Sequence, residues 1–302
     1  MLLEDVLEEY FYYCQAMGFT KKTMINKRQE LKHLRIYLKE ERGIIEFEQI
    51  TLLELRTYAR VKTQSGLQPQ SIVAMFKLIS AFYSWCVKEE YIEKNIASKV
   101  DLPRVPQKVL KGFTIEEVQA MVEAFTYKNY LEARNKTIIA MLADCGLRAM
   151  EIRGLKSVNV KESSILVNGK GNKERIVFVS PALKRILIKY ERMKKQYFQD
   201  KNAKDNYFLS YTGGDMSHVA IHNIIKEAGK RAGVEGKRVS PHTFRHFYAV
   251  QSLINGNMDV YSLSRLLGHS EISVTQRYLQ SMNDKELLEK AISSSPLMNL
   301  RS

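Results

Sequence analysis

The chain has 302 residues, which is enough for two compact domains that each bury a core. Its content of 45% hydrophobic and 26% charged residues is typical of a globular protein and excludes a disordered chain. No apolar run approaches the ~18 residues of a membrane span, and the acidic N-terminus does not resemble a secretion signal. We therefore expect a cytoplasmic protein with no membrane partner.

The charge is strongly basic and unevenly distributed. The whole chain carries 47 − 33 = +14, of which residues 1–112 contribute 18 − 14 = +4 and residues 113–302 contribute 29 − 19 = +10. Such a surplus attracts polyanions and makes binding to them salt-dependent. Nucleic acid is the expected partner, and a merely solubilising surface charge is the alternative.

The first part of the chain, residues 1–100, has apolar residues at three- and four-residue spacing almost throughout. Thr51 and Glu54 form the pattern of a capping box, and Pro69 suits the first turn of a helix. The predicted helices lie near residues 2–17, 21–41, 51–62 and 69–89. We therefore predict an all-helical N-terminal domain.

Residues 101–112 contain two prolines, a glycine and several basic residues, which indicates an extended interdomain linker. A second domain is predicted over residues 113–283, opening on a capping box at Thr114 and Glu117. Around a Gly-Lys-Gly-Asn turn, residues 157–180 alternate β-branched and polar side chains, which predicts a small antiparallel sheet. The other predicted elements are helices near residues 114–125, 130–145, 182–199, 217–232, 241–255, 259–267 and 272–280. The fold class is therefore mainly α, with an α+β second domain.

The stretch "HTFRHFY" places His242 and Arg245 on one face of a helix, three residues apart. A histidine titrates near neutral pH and an arginine keeps its charge, so the pair suits proton transfer beside a bound anion. A helix start with capped polar residues is the structural alternative. His242 and His246 also have the spacing of a zinc-binding helix, but Thr243 stands where that motif has glutamate, so we predict no metal.

Other stretches supply matching groups: Arg148 in "GLRAMEI", Lys170 in "GKGNK", and His269 and Tyr278 in "LLGHSEISVTQRY". Two guanidiniums can pair with the oxygens of a phosphodiester and stabilise the charge of a pentacoordinate phosphorus. A tyrosine hydroxyl, with an ordinary pKa of about 10, needs a base or nearby positive charge to act as a nucleophile. The combination predicts phosphoryl transfer at a phosphodiester, with Lys170 as the general acid and Lys173, in the same turn, as the alternative.

These motifs, in this order, resemble the tyrosine recombinases of the phage integrase family, and the layout is similar to the simple Xer-like members. The matching pieces are "GLR", the hairpin "GKGNKER", "HTFRH", "LLGH", and a tyrosine nine residues after that last histidine. The resemblance is strong over residues 146–278 and weaker over residues 1–100.

The resemblance implies a role for each matching residue. Tyr278 would attack the phosphate and form a 3′-phosphotyrosyl linkage, and Arg148 and Arg245 would clamp the phosphate. His242 and His269 would assist proton transfer and hold the phosphate, and Lys170 would protonate the 5′ oxygen. Glu151 and His246 would support the site. No metal, ATP or other cofactor is expected.

The resemblance also implies a two-domain clamp around double-stranded DNA, made of a core-binding domain and a catalytic domain. We expect a tetramer on two duplexes with paired binding sites, held by a trans-docking helix at residues 284–292 within the tail 284–302. Accessory DNA-bending proteins are further expected partners, and no additional N-terminal domain is expected. The alternatives are a type IB topoisomerase and a DNA-binding relative without catalysis.

Overall fold

A computed structural model describes residues 1–106, 111–169, 174–254 and 258–279. The chain divides into two compact units, Met1–Gln107 and Lys108–Ser302. The predicted helix at residues 284–292, together with Lys170 and Lys173, lies outside the described residues.

The first unit is helical, as predicted. Its helices are α1 (Leu3–Ala16), α2 (Lys21–Arg42), α3 (Leu52–Gln64) and α4 (Pro69–Lys88). The Thr51 hydroxyl accepts a hydrogen bond from the Glu54 amide, as a helix cap does. The Glu54 carboxylate does not complete the predicted capping box, because it accepts two hydrogen bonds from Arg42, at 2.7 and 3.1 Å. A charged partner is a stronger donor than the backbone amide.

Helix α4 corrects the expectation that no segment is as long and apolar as a membrane span. Among the described helices, α4 alone passes that test of length and composition. A core helix passes the same test, and α4 buries Ile72, Phe76, Ile79 and Phe82 in the core of its unit. Its apolar composition is therefore explained by packing.

The second unit combines helices with one small sheet, which confirms the predicted fold class. Its helices are α5 (Ile115–Glu123), α6 (Tyr130–Cys145), α7 (Ala149–Gly154), α8 (Pro181–Tyr197), α9 (His218–Arg231), α10 (Pro241–Ile254), α11 (Val260–Leu267) and α12 (Ile272–Leu279). The Thr114–Glu117 capping box is confirmed, with hydrogen bonds of 3.2 and 2.7 Å. Phe244 of α10 is buried in the main core of this unit.

The sheet consists of strands β1 (Ser164–Asn168) and β2 (Glu174–Phe178), which pair antiparallel. It is shorter than the predicted segment 157–180, where residues 157–159 form a 3-10 turn. The register places Ile165 opposite Val177 and Val167 opposite Arg175. Because side chains alternate along a strand, Arg175 shares the inward face with these three apolar residues.

Gly146 ends α6 in the left-handed conformation, with φ +58°, and a Cβ added there would lie 2.4 Å from Tyr248 Cδ1. We predict that Gly146→Ala destabilises the second unit by more than the roughly 1–2 kcal/mol that the left-handed backbone alone costs. Denaturant unfolding followed by circular dichroism measures the loss. Fluorescence of Trp85, the one tryptophan of the chain, follows the unfolding of the first unit. The unfolding transition that it reports should not change.

The matched control is Gly233→Ala, because Gly233 has φ +67° with no atom within 4 Å of an added Cβ. It should show only the cost of the backbone conformation. Equal losses in the two variants would contradict the steric argument.

Candidate active site

An open cavity of about 1340 Å³ in the second unit brings together residues from five separate stretches of the chain. Its walls include five of the predicted site residues: Arg148, His242, Arg245, His269 and Tyr278. Glu151 and His246 are buried, and each contacts one of these five residues. The described residues thus place seven of the eight predicted side chains at or beside one cavity.

Arg148 and Glu151 form a local unit at the start of α7. The Glu151 carboxylate accepts hydrogen bonds from the Arg148 backbone amide at 2.8 Å and from its Nη1 at 2.9 Å. The carboxylate thus caps the helix and orients the guanidinium at the same time. The Arg148 side chain remains 33% exposed, so it can reach a ligand in the cavity.

Arg175 is a site residue that the sequence analysis missed. Its side chain is 10% exposed and donates two hydrogen bonds of 2.8 Å to the Glu151 carboxylate. Burial disfavours the Glu151 anion, but the hydrogen bonds from Arg175 and Arg148 outweigh it and lower the pKa of this carboxyl group. An arginine on the apolar face of the predicted hairpin was the available signal, because a buried cation needs a partner.

The carbonyls at the end of helix α11 bind the three arginines of the site, Arg148, Arg175 and Arg245. Gly268, at φ +65°, closes a Schellman motif in which its amide and the His269 amide bond back to Arg265 and Ser264, both at 3.0 Å. The next three carbonyls each accept a hydrogen bond from a guanidinium. The Leu266 carbonyl accepts from Arg175 at 2.7 Å, the Leu267 carbonyl from Arg245, and the Gly268 carbonyl from Arg148 at 3.2 Å. The negative end of the helix dipole favours these cations.

Arg245 is the most deeply buried of the three, with 3% of its surface exposed. It also donates to the Gly146 carbonyl at the end of α6, at 2.8 Å. Burial, followed by repulsion from Arg148, lowers the pKa of Arg245 to about 10, so it remains charged at neutral pH. Its guanidinium therefore joins the ends of α6 and α11 beneath the cavity.

The histidines of the site favour their neutral forms. Burial and the nearby arginines lower the pKa of His269 to about 4, and its Nδ1 lies 2.7 Å from the Thr275 hydroxyl. Desolvation and the charges of Arg245, Arg238 and Arg148 lower the pKa of His242. A neutral imidazole can accept a proton, which is the state that a general base requires.

The Tyr278 ring lies between two histidines. Its centroid is 5.4 Å from that of His246 in an edge-on arrangement and 6.1 Å from that of His269 in a stacked one. His246 Nδ1 is buried and has no hydrogen-bond partner among the described residues. Helix α12 thus presents the half-buried tyrosine to the cavity that contains the arginines.

Comparison with known proteins identifies the family. The sequence model of the phage integrase family matches residues 111–285 of this chain. The sequence model of the phage integrase SAM-like domain matches residues 5–101. The chain belongs to the phage integrase family. Its similarity to tyrosine recombinases confirms the resemblance found in the sequence and indicates a DNA breaking and rejoining enzyme of the recombinase class.

Curated relatives of this integrase-family protein include two tyrosine recombinases named XerD. The one from Staphylococcus haemolyticus (strain JCSC1435) is 28% identical over 279 residues, covering 91% of this chain and 94% of the relative. The one from Staphylococcus aureus (strain Mu50) is 29% identical over the same length, with the same coverage.

Solved structures share the fold. A lambda integrase (75-356) dimer bound to a COC′ core site has a TM-score of 0.72 at 17% identity, covering 94% of this chain and 97% of its own. A post-cleavage complex of the XerH recombinase with palindromic difH has a TM-score of 0.72 at 20% identity, covering 90% and 79%. A lambda integrase tetramer bound to a Holliday junction has a TM-score of 0.70 at 16% identity, covering 92% and 77%.

The cavity has the electrostatics of an anion site. Arg148, Arg175, Arg245 and Arg265 contribute four positive charges, and Glu174 and the buried Glu151 two negative charges, which leaves 4 − 2 = +2. The described residues contain no group of three or more His, Cys, Asp or Glu side chains placed to hold a metal ion. The arrangement can bind a phosphate through guanidiniums and offer it a phenol oxygen.

We predict that the second unit loses stability as the pH falls from about 6.5 to about 4. The unfolded chain protonates His269 near pH 6.5 but the folded protein only near pH 4, so protons favour unfolding across this window. In His269→Gln this loss of stability should be smaller. Part of the loss should remain, because the pKa values of His242 and His246 are also lowered. Thermal unfolding followed by circular dichroism at several pH values measures this pH dependence of stability.

The control is His33→Gln, because His33 is exposed on α2 in the first unit. It should leave the pH dependence unchanged. If His269→Gln has the same pH dependence as the wild type, the assigned environment of His269 is wrong.

Proposed function

We propose that this protein is a site-specific DNA recombinase that cuts and rejoins strands through a 3′-phosphotyrosyl intermediate, with Tyr278 as nucleophile. One observation carries the proposal: the Tyr278 ring enters the cavity whose walls also present Arg148 and Arg245. Tyrosine and paired guanidiniums are the groups needed to attack a phosphodiester and to stabilise its transition state.

In the proposed cleavage step, the Tyr278 oxygen forms a bond to phosphorus as the bond from phosphorus to the 5′ oxygen breaks. The phenol proton passes to a neutral histidine, and His242 and His269 are the candidates because both line the cavity that Tyr278 enters and both favour the neutral form. The 5′ oxygen leaves as a hydroxyl after it receives a proton. Lys170 is the proposed donor, and Lys173 is the alternative.

The guanidiniums stabilise the extra charge of the pentacoordinate phosphorus, so the proposed step uses no metal ion. The phosphotyrosyl bond retains the energy of the phosphodiester, so a 5′-hydroxyl from another duplex can reverse the reaction without ATP. Exchange of strands follows when that hydroxyl belongs to a partner duplex. Integration, excision and resolution of dimers all use this chemistry.

We propose that residues 1–100 bind the core DNA site, that residues 101–112 link the domains, and that residues 113–283 perform catalysis. The proposed assembly is a tetramer on two duplexes, with residues 284–292 docking in trans. Support comes from the solved relatives, among which lambda integrase forms a tetramer on a Holliday junction and XerH is bound to difH. The surplus charge of the chain, +14, suits double-stranded DNA.

We predict that Tyr278→Phe abolishes the covalent adduct and leaves DNA binding unchanged, because the ring remains and only the nucleophilic oxygen is lost. A binding site is first selected from random duplex DNA and then nicked close to the scissile phosphate, so that the released fragment diffuses away. Denaturing gels measure the trapped adduct. Tyr261→Phe, an exposed tyrosine on α11, is the control and should form the adduct normally. An adduct of normal yield with Tyr278→Phe would overturn the nucleophile assignment.

We predict that Arg148→Ala slows single-turnover cleavage by roughly 10²–10³, because one donor to the developing charge is removed. The matched control is Arg153→Ala on the same helix, since Arg153 donates to the Met216 carbonyl and does not line the cavity. Cleavage by Arg148→Ala near the wild-type rate would contradict the proposed phosphate clamp.

The adduct assay, together with an assay of plasmid relaxation, separates the alternative functions. A DNA-binding relative without catalysis would bind the selected site and form no adduct even as the wild type. A type IB topoisomerase would form the adduct and also relax a supercoiled plasmid that lacks the selected site.

A further inference from the structure

We propose that Arg175 is a positioning residue that keeps the Arg148 guanidinium available to a phosphate by sharing Glu151 with it. This inference rests on the proposed function, because it takes phosphate as the ligand of the cavity. Arg175 acts through Glu151 and Arg148, and no direct contact of Arg175 with the reacting atoms is required.

The position of Arg175 is fixed from three directions. The register of the sheet places it opposite Val167, so its side chain points inward from β2. Its Nη1 and Nη2 both donate to the Glu151 carboxylate at 2.8 Å. Its Nε donates to the Leu266 carbonyl at 2.7 Å, and a Cβ added at Gly268 would lie 3.0 Å from its Cδ.

Arg148 and Arg175 share one buried carboxylate. Glu151 Oε1 accepts from Arg148 Nη1 at 2.9 Å and from Arg175 Nη1 at 2.8 Å, and Glu151 is 7% exposed. A buried carboxylate needs a cation to compensate it, and a guanidinium paired with it alone is neutralised. With two arginines on one carboxylate, a net charge of 2 − 1 = +1 remains for an incoming phosphate.

Removal of Arg175 should therefore affect the site through Arg148. Without its second partner, the buried carboxylate of Glu151 binds Arg148 more tightly and draws the guanidinium away from the cavity. The end of α11 also loses a donor at Leu266, immediately before the carbonyls that Arg245 and Arg148 contact. Both changes weaken the binding of phosphate at the cavity.

The test compares Arg175→Gln with the wild type in two measurements. Inorganic phosphate, titrated against chloride at equal ionic strength, should raise the unfolding temperature of the wild type. The phosphate affinity derived from this rise should be about tenfold weaker in the variant. Single-turnover cleavage of the nicked duplex should be slower by on the order of 10²-fold, as expected for a displaced positioning group. Binding of the duplex should change by about twofold or less, because contacts to other phosphates dominate it.

A second substitution separates positioning from packing. Glu151→Gln in the Arg175→Gln background removes the carboxylate that would hold Arg148, so phosphate affinity and cleavage should partly recover. A residue that only supports packing would instead give a double variant that is worse than either single one. A double variant no better than Arg175→Gln overturns the inference.

The control is Arg231→Gln, because Arg231 also combines ion pairs, to Glu132 and Glu227, with a hydrogen bond to the Ala124 carbonyl. It lies in the same unit and does not line the cavity, so phosphate affinity and cleavage should remain normal. If Arg175→Gln does not fold, Arg175→Lys is tested in its place. It retains the charge, so its losses should be smaller than those of about tenfold in phosphate affinity and roughly 10²-fold in rate expected for Arg175→Gln. Wild-type values of both quantities would overturn the inference.

The two proposals can fail separately. Without a covalent adduct from the wild type on any duplex, the recombinase proposal fails, while the phosphate titration still tests Arg175. An adduct from the wild type together with normal phosphate affinity and cleavage in Arg175→Gln overturns only the positioning role. A wild type with no phosphate-specific shift also overturns that role.

Discussion

The end of helix α11 is the constraint on which the site depends. Its Schellman motif uses the carbonyls of Ser264 and Arg265. The three carbonyls that follow accept hydrogen bonds from three arginines, which lie at the N-cap of α7, on α10 and on β2. Free carbonyls at a helix end carry partial negative charge, which stabilises cations that would otherwise repel one another. The Glu151 carboxylate compensates a further part of their positive charge. Three guanidiniums can therefore be held close together before any ligand is present.

This compensation leaves the cavity positive and helps to lower the pKa of the two histidines that line it, His242 and His269. Burial, followed by the charges of the arginines, favours the neutral form of His269 and lowers its pKa to about 4. They also attract an anion and stabilise further negative charge on it, which is what the transition state of phosphoryl transfer requires. The groups are fixed by secondary structure, so little reorganisation is needed when the phosphate binds.

Glycines at helix ends make these contacts possible. Gly146 ends α6 at φ +58° and offers its carbonyl to Arg245, and Gly268 ends α11 at φ +65° against Arg175. A side chain at either position would strain the backbone. At Gly146 it would also collide with the Tyr248 ring, and at Gly268 it would crowd the Arg175 side chain. The two short motifs that contain them, "GLR" and "LLGH", thus combine a helix end with the catalytic candidate that follows it.

The sequence alone determined which residues are candidates for the chemistry, because an arginine, histidine or tyrosine in an ordered set of motifs keeps its chemical type whatever the fold. It also determined the helical character of both units, because the spacing of apolar residues is local. Only the tertiary structure decided that Arg175 belongs to the site, since this follows from the register of β2 against β1 and from the approach of Glu151. It likewise decided that Glu54 pairs with Arg42, and that three arginines share the end of one helix. Such contacts join residues up to 120 positions apart, and local patterns contain no information about which distant partners meet.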